Sequence, residues 1–246
     1  MKQIFAFEDL TQVEPHRKII QSMFQQLQPY EVYLQQTFAL KESPKAIVWT
    51  SSELATTIFS TVPIPAYTRK DVIYMSPVME DWKTIFYEQL DGCDLPVIKN
   101  YYERNIESQM MEILAHELTH HSDLFLEGFD DGNWEKDIWF EEGMCFYLPR
   151  KFLLTEEEFD EISTVERTLV KEFKEKYGHH SLSEFGSSTY KGNMTSIMYD
   201  YWRSFLAVKE LVDRAEGDVM QVFAQYHEWH HTGKKGSLTA YFQLDI

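Results

Sequence analysis

Two histidines four residues apart, in Ala115-His116-Glu117-Leu118-Thr119-His120, constrain this chain more than any other feature. On an α-helix, residues i and i+4 lie one above the other, so this spacing aims both imidazoles at one point. Glu117 sits about 100° further round, close enough to reach a water held at that point without itself binding a metal. Zinc is the metal that best suits two imidazoles and a carboxylate, and a reactive zinc site needs one further protein ligand and an open position. The fold must therefore bring a carboxylate to the histidine helix.

The segment Asp137-Ile138-Trp139-Phe140-Glu141-Glu142-Gly143-Met144 offers one. It is predicted helical over residues 135–147, with a stop at Pro149, and Glu142 can deliver the third ligand. Trp139 and Phe146 stand three before and four after Glu142, on its face, and would dock the helix. Gly143 inside a helix costs about 1 kcal/mol relative to Ala. Close passage of the histidine helix would explain it.

HELTH followed by W-F-E-E-G-M resembles the gluzincin superfamily of zinc metallopeptidases (peptidase-MA-like). Its members carry HExxH on one helix and a Glu-Gly pair on the next, and the Glu before the Gly is their third zinc ligand. The resemblance implies a zincin-like, thermolysin-like catalytic fold, with zinc on His116, His120 and Glu142 and with Glu117 as general base. It also implies a peptide or protein substrate, hydrolysed by a zinc-bound water that Glu117 activates. A tyrosine or histidine of a later helix stabilises the oxyanion in such enzymes. Tyr199 is the favoured candidate, in YDYWRSF, with Tyr201 and Tyr190 as alternatives. A strand edge that binds substrate backbone is also implied, and DVIYMSP (71–77) is the candidate. The chain departs from the family in three places. The spacing from His120 to Glu142 is longer than in the best-known members, and no GAMEN-like exopeptidase signature is present. Phe146 stands where thermolysin-like members carry an Asp four residues after the third ligand, so support for a histidine must come from elsewhere, with Asp123 or a backbone carbonyl as candidates. The alternative reading is a non-catalytic metal- or peptide-binding regulator or sensor on the same fold.

Composition restricts the partners. A net charge of −17 makes a field that repels phosphate backbones and anionic lipid, which argues against nucleic acid or membrane as the main partner. No stretch approaches about 18 consecutive apolar residues, and the N-terminal segment lacks the pattern of a signal peptide. Cys93 and Cys145 form no CxxC pair and no disulfide framework. The expected location is the cytoplasm.

The expected fold class is α+β, in one zincin-like catalytic unit. A small mixed sheet in an N-terminal half, residues 1–98, packs on a helical, zinc-binding half, residues 99–246. Residues 15–40 read as one or two helices interrupted near Pro29, residues 46–50 and 71–76 as strands, and 79–90 as a helix. TIFSTVPIPAYT, with two prolines, suits an irregular or edge segment. A single long helix is expected over 100–126, on the stripe Ile106, Met110, Ile113, Leu114 and Leu118, followed by a loop through Gly128 and residues 130–132. Further helices are expected from Thr155, whose Glu158 completes a capping box, to about Gly178, over 194–216, and from Asp218 to just before Gly233.

Other histidines are read as structural. His227-Glu228-Trp229-His230-His231 also fits HExxH, but no Glu-Gly helix follows it, so it is taken as a surface cluster. His179 and His180 follow a helix C-terminus, where a cation suits the dipole. His121 points away from the metal-facing side, and Cys145 reads as a small core residue.

Overall fold

The computed structural model describes residues 1–126, 138–186 and 189–244, and it is an α+β protein with a small mixed sheet. The chain divides into two compact units, Met1–Asp123 and Leu124–Ile246. The expected halves met at 98/99; the division here falls after the histidine helix, which therefore belongs with the sheet.

The first unit is built on four strands: β1 (Lys2–Ala6), β2 (Ala46–Thr50), β3 (Ala66–Arg69) and β4 (Val72–Met75). Their order is β1-β2-β4-β3, parallel except for β3, which runs antiparallel to β4. All five residues of β2 are buried, as the unbroken apolar run AIVWT requires of a strand covered on both faces. β1 was not expected from the sequence, because its side chains are almost all exposed and it carries no alternating apolar pattern. DVIYMSP contributes β4, which lies between β2 and β3 and spends its backbone groups on both neighbours. The edge on that side is β3 instead, within the stretch assigned to an edge or irregular segment.

Between β2 and β3 the chain also makes a single turn, α2 (Ser52–Leu54), that runs into a π-turn at Ala55–Phe59. Ahead of it, a 3₁₀ turn at Leu10–His16 leads into α1 (Arg17–Thr37), which passes through Pro29 without a break. An interior proline costs about 3 kcal/mol. Ile20, Met23, Leu27, Tyr30 and Leu34 are all buried along one stripe, at roughly 1.5–3 kcal/mol each, and outweigh it. α3 (Met79–Glu88) follows the sheet. The long helix expected over 100–126 is two helices, α4 (Pro96–Arg104) and α5 (Ile106–Thr119), separated by Asn105 at φ −115° and ψ 15°. Asparagine is a poor helix former that competes for backbone groups, and the apolar stripe hid this junction. α5 also stops earlier than expected. Ser122 Oγ donates to the Phe38 carbonyl at 2.5 Å and Asp123 N to that of Ala39 at 3.2 Å, drawing the chain to the end of α1.

The longer elements of the second unit, among the described residues, are all helices: α6 (Ile138–Leu153), α7 (Glu156–Tyr177), α8 (Met194–Arg214), α9 (Val219–His231) and the short α10 (Leu238–Tyr241). The expected loop around residues 128–132 and the start of the expected helix at 135–137 lie outside the described residues. α6 continues through Pro149, its predicted stop, because Trp139, Phe140, Met144, Cys145 and Leu148 bury their side chains along it. α7 carries the capping box from both sides: Glu158 N donates to Thr155 Oγ1 and Thr155 N to Glu158 Oε2. Asp218 caps α9 by accepting from Gln221 N. α8 lies against both α6 and α7 and supplies the middle of this core. Among the described residues no helix is long and apolar enough to cross a membrane.

Candidate metal centre

The last turn of α5 holds His116, Glu117 and, at its C-cap, His120. All three are buried, with relative exposures of 4%, 6% and 9%. Their Nε2 atoms bring His116 and His120 within 3.1 Å of each other, with the rings nearly perpendicular at 79°. Burying polar rings is costly unless their nitrogens find partners. Two nitrogens that ligate one tetrahedral zinc at ~2.0–2.1 Å lie ~3.3 Å apart, so the pair has the spacing such an ion requires.

This turn is held firmly from within its own unit. Thr119 Oγ1 donates to the Ala115 carbonyl at 2.7 Å and is 2.7 Å from the Tyr30 hydroxyl of α1. Thr68 Oγ1, on β3, donates to the Glu117 carbonyl at 2.9 Å. The carbonyls near a helix C-terminus lack intrahelical partners, and here a strand side chain supplies one. Asp123, a candidate to support a histidine, instead accepts from the backbone N–H of Lys41 at 3.2 Å. His121 is half-buried and lies near Asp71, whose carboxyl is held low chiefly by its hydrogen bond from Lys45 and only slightly by His121.

In the second unit, Glu142 is 1% exposed on α6. The Tyr201 hydroxyl donates to its Oε1 at 3.4 Å, and the Tyr190 hydroxyl lies 2.6 Å from that of Tyr201. Tyr199, the favoured oxyanion donor, projects to a different side of its helix from Tyr201. Residues 199 and 201 project about 200° apart on α8. The Tyr199 hydroxyl lies against Gly178 at the end of α7, with its ring beside Tyr177 and Arg203. One sequence signal does single out Tyr201. It stands at i, with Ser204 at i+3 and Val208 at i+7, and that face meets α6. A Cβ on Gly143 would lie 2.4 Å from the Ser204 carbonyl oxygen and 2.6 Å from Val208 Cγ2. Gly143 thus lets α8 approach, whereas the sequence suggested the histidine helix. Beside it, burial pushes the Glu141 carboxyl up to about 8.

The remaining candidates fall where structural roles would put them. His180 Nε2 contacts both carboxylate oxygens of buried Asp200 at 2.8 and 3.1 Å, and Arg203 joins the same carboxylate. In the second HExxH, His227 Nε2 meets the Leu124 carbonyl and His231 Nδ1 meets that of His227. These rings serve the backbone. Cys145 is buried and Cys93 exposed.

No family model, curated protein or solved structure matches this chain.

Proposed function

We propose that this protein is a zinc-dependent metallopeptidase in which His116, His120 and Glu142 hold the metal and Glu117 is the general base. The observation that carries the proposal is the buried imidazole pair, with Nε2 atoms 3.1 Å apart on an anchored helix turn. Support for the third ligand comes from Glu142, which is buried on α6 and offers the carboxylate that the imidazole pair lacks. Two imidazoles and a carboxylate are the donor set of a hydrolytic zinc site, which leaves one position open.

A zinc ion held there supplies Lewis acidity, polarising a substrate carbonyl and acidifying water. The chain's own groups do the rest. Glu117, the residue after His116, takes a proton from the attacking water onto its carboxylate and passes it to the leaving amine nitrogen. Its main-chain carbonyl is tied to Thr68, which limits drift of the base during that transfer. β3 is the sheet edge nearest in sequence and hydrogen bonding to this turn. Its outer backbone groups suit an extended peptide added as a further strand. On the Glu142 face of α8 stands Tyr201, with Tyr190 beside it, whereas Tyr199 points away from that face.

Metal analysis of protein purified without added metal tests the site, and a peptide library tests the activity. One equivalent of zinc, with cleavage lost in Glu117→Gln while zinc stays bound, supports the enzyme. Zinc without cleavage of any peptide favours the non-catalytic binding protein, and no zinc removes the proposal.

A further inference from the structure

We infer that Tyr201, anchored by Tyr190, is a positioning residue for Glu142, holding its carboxylate in the orientation a metal ligand needs; this rests on the metal site proposed above. Glu142 is almost wholly buried, and a carboxylate there requires donors. Each tyrosine hydroxyl has one proton, and an ionised carboxylate only accepts. The direction of the chain is therefore set: Tyr190 donates to the Tyr201 oxygen, and Tyr201 donates to Glu142 Oε1. Aligned hydrogen bonds of this kind polarise one another. The Tyr201–Glu142 separation of 3.4 Å is long for an O–H···O bond, so Tyr201 contributes orientation more than strength.

What makes Tyr201 suited to this is how firmly it is placed. Phe146 and Phe185 stand edge-on to its ring at centroid distances of 5.9 and 5.1 Å, and Phe146 lies one helical turn beyond Glu142 on α6. Tyr190 is fixed in turn. Thr189 Oγ1 donates to Asp200 Oδ2 at 3.1 Å, so two successive residues of α8 grip two successive residues of the 189–191 turn. Asp200 is itself held by His180 at 2.8 Å and Arg203 at 3.3 Å. This also accounts for the buried Asp200 cluster, which the proposed chemistry does not otherwise use.

Groups that orient a ligand are worth ~10–100-fold in metal affinity. The test is a zinc competition titration of the full chain against a chromophoric chelator. Tyr201→Phe should bind zinc at least ~10-fold more weakly than the wild type. Tyr190→Phe should weaken it by a smaller factor, and the double variant should be no weaker than Tyr201→Phe, because both act through one contact. Tyr199→Phe, on the opposite side of α8, should keep wild-type affinity whatever it does to stability. Wild-type zinc affinity in a folded Tyr201→Phe overturns the inference. Should that variant not fold, unchanged affinity in Tyr190→Phe overturns it instead. A wild-type chain that binds no zinc is the separate failure of the metal site itself and is seen before any variant is made.

Discussion

Thr68 Oγ1, on strand β3, donates a 2.9 Å hydrogen bond to the main-chain carbonyl of Glu117, and both residues are buried. A side chain of the sheet's edge strand thus fixes the proposed general base along the backbone. Thr68→Val keeps the shape but deletes the donor and leaves a buried carbonyl without this partner, at about 1–3 kcal/mol. Urea unfolding should report that loss. The kinetic expectation is a lower kcat with zinc content unchanged, and Thr68→Ser should restore both values. A Thr68→Val protein with wild-type stability would show that the bond contributes nothing.

Gly143→Ala is expected to behave opposite to helix propensity. In an open helix the change gains about 1 kcal/mol. Here the new Cβ would fall 2.4 Å from the Ser204 carbonyl oxygen, a backbone atom with no rotamer to yield. Overpacking of this kind costs about 1–3 kcal/mol. Thermal unfolding of the variant should therefore begin at a lower temperature, and a raised midpoint would mean that α6 and α8 lie further apart.

Much of this was legible before any coordinates. Local patterns gave α7, α8 and α9 to within a residue or two, and for α7 and α9 the caps Thr155 and Asp218 act on backbone groups only a few residues away. Pro29 and Pro149 misled for the opposite reason: the local penalty is real, and burial against distant parts of the chain overrides it. β1 was missed because a strand recruited by pairing with β2 needs no apolar pattern of its own. At the site, the i, i+4 histidines carry their geometry within the sequence. Which tyrosine of α8 meets Glu142 depends on how two helices approach. Only the small residues Gly143 and Ser204 hinted at it.

Metal removal should lower stability by mass action. A ligand that binds only the folded state stabilises it by about 4 kcal/mol at a thousandfold excess over its Kd. Chelation of the purified protein should therefore lower its unfolding midpoint, and zinc should restore it. Glu142→Ala and His116→Ala should lose the response. A midpoint in the wild type that ignores both chelator and zinc would count against the proposed ligand set.

Glu141 gives a pH dependence whose sign can be worked out. Burial pushes its folded-state carboxyl up to about 8 from an ordinary value of 4.5. The residue as a whole is half-buried, so the shift reflects enclosure of the carboxyl end. Between those two pH values the folded chain keeps a proton that the unfolded chain has released. Stability from this group therefore falls as pH rises through that window and changes no further above it. Glu141→Gln stays neutral throughout and removes the slope. Denaturant midpoints of the metal-free proteins should show the variant gaining on the wild type from pH 5 to pH 8, then holding a constant advantage. A parallel pair of curves would place this carboxyl in water.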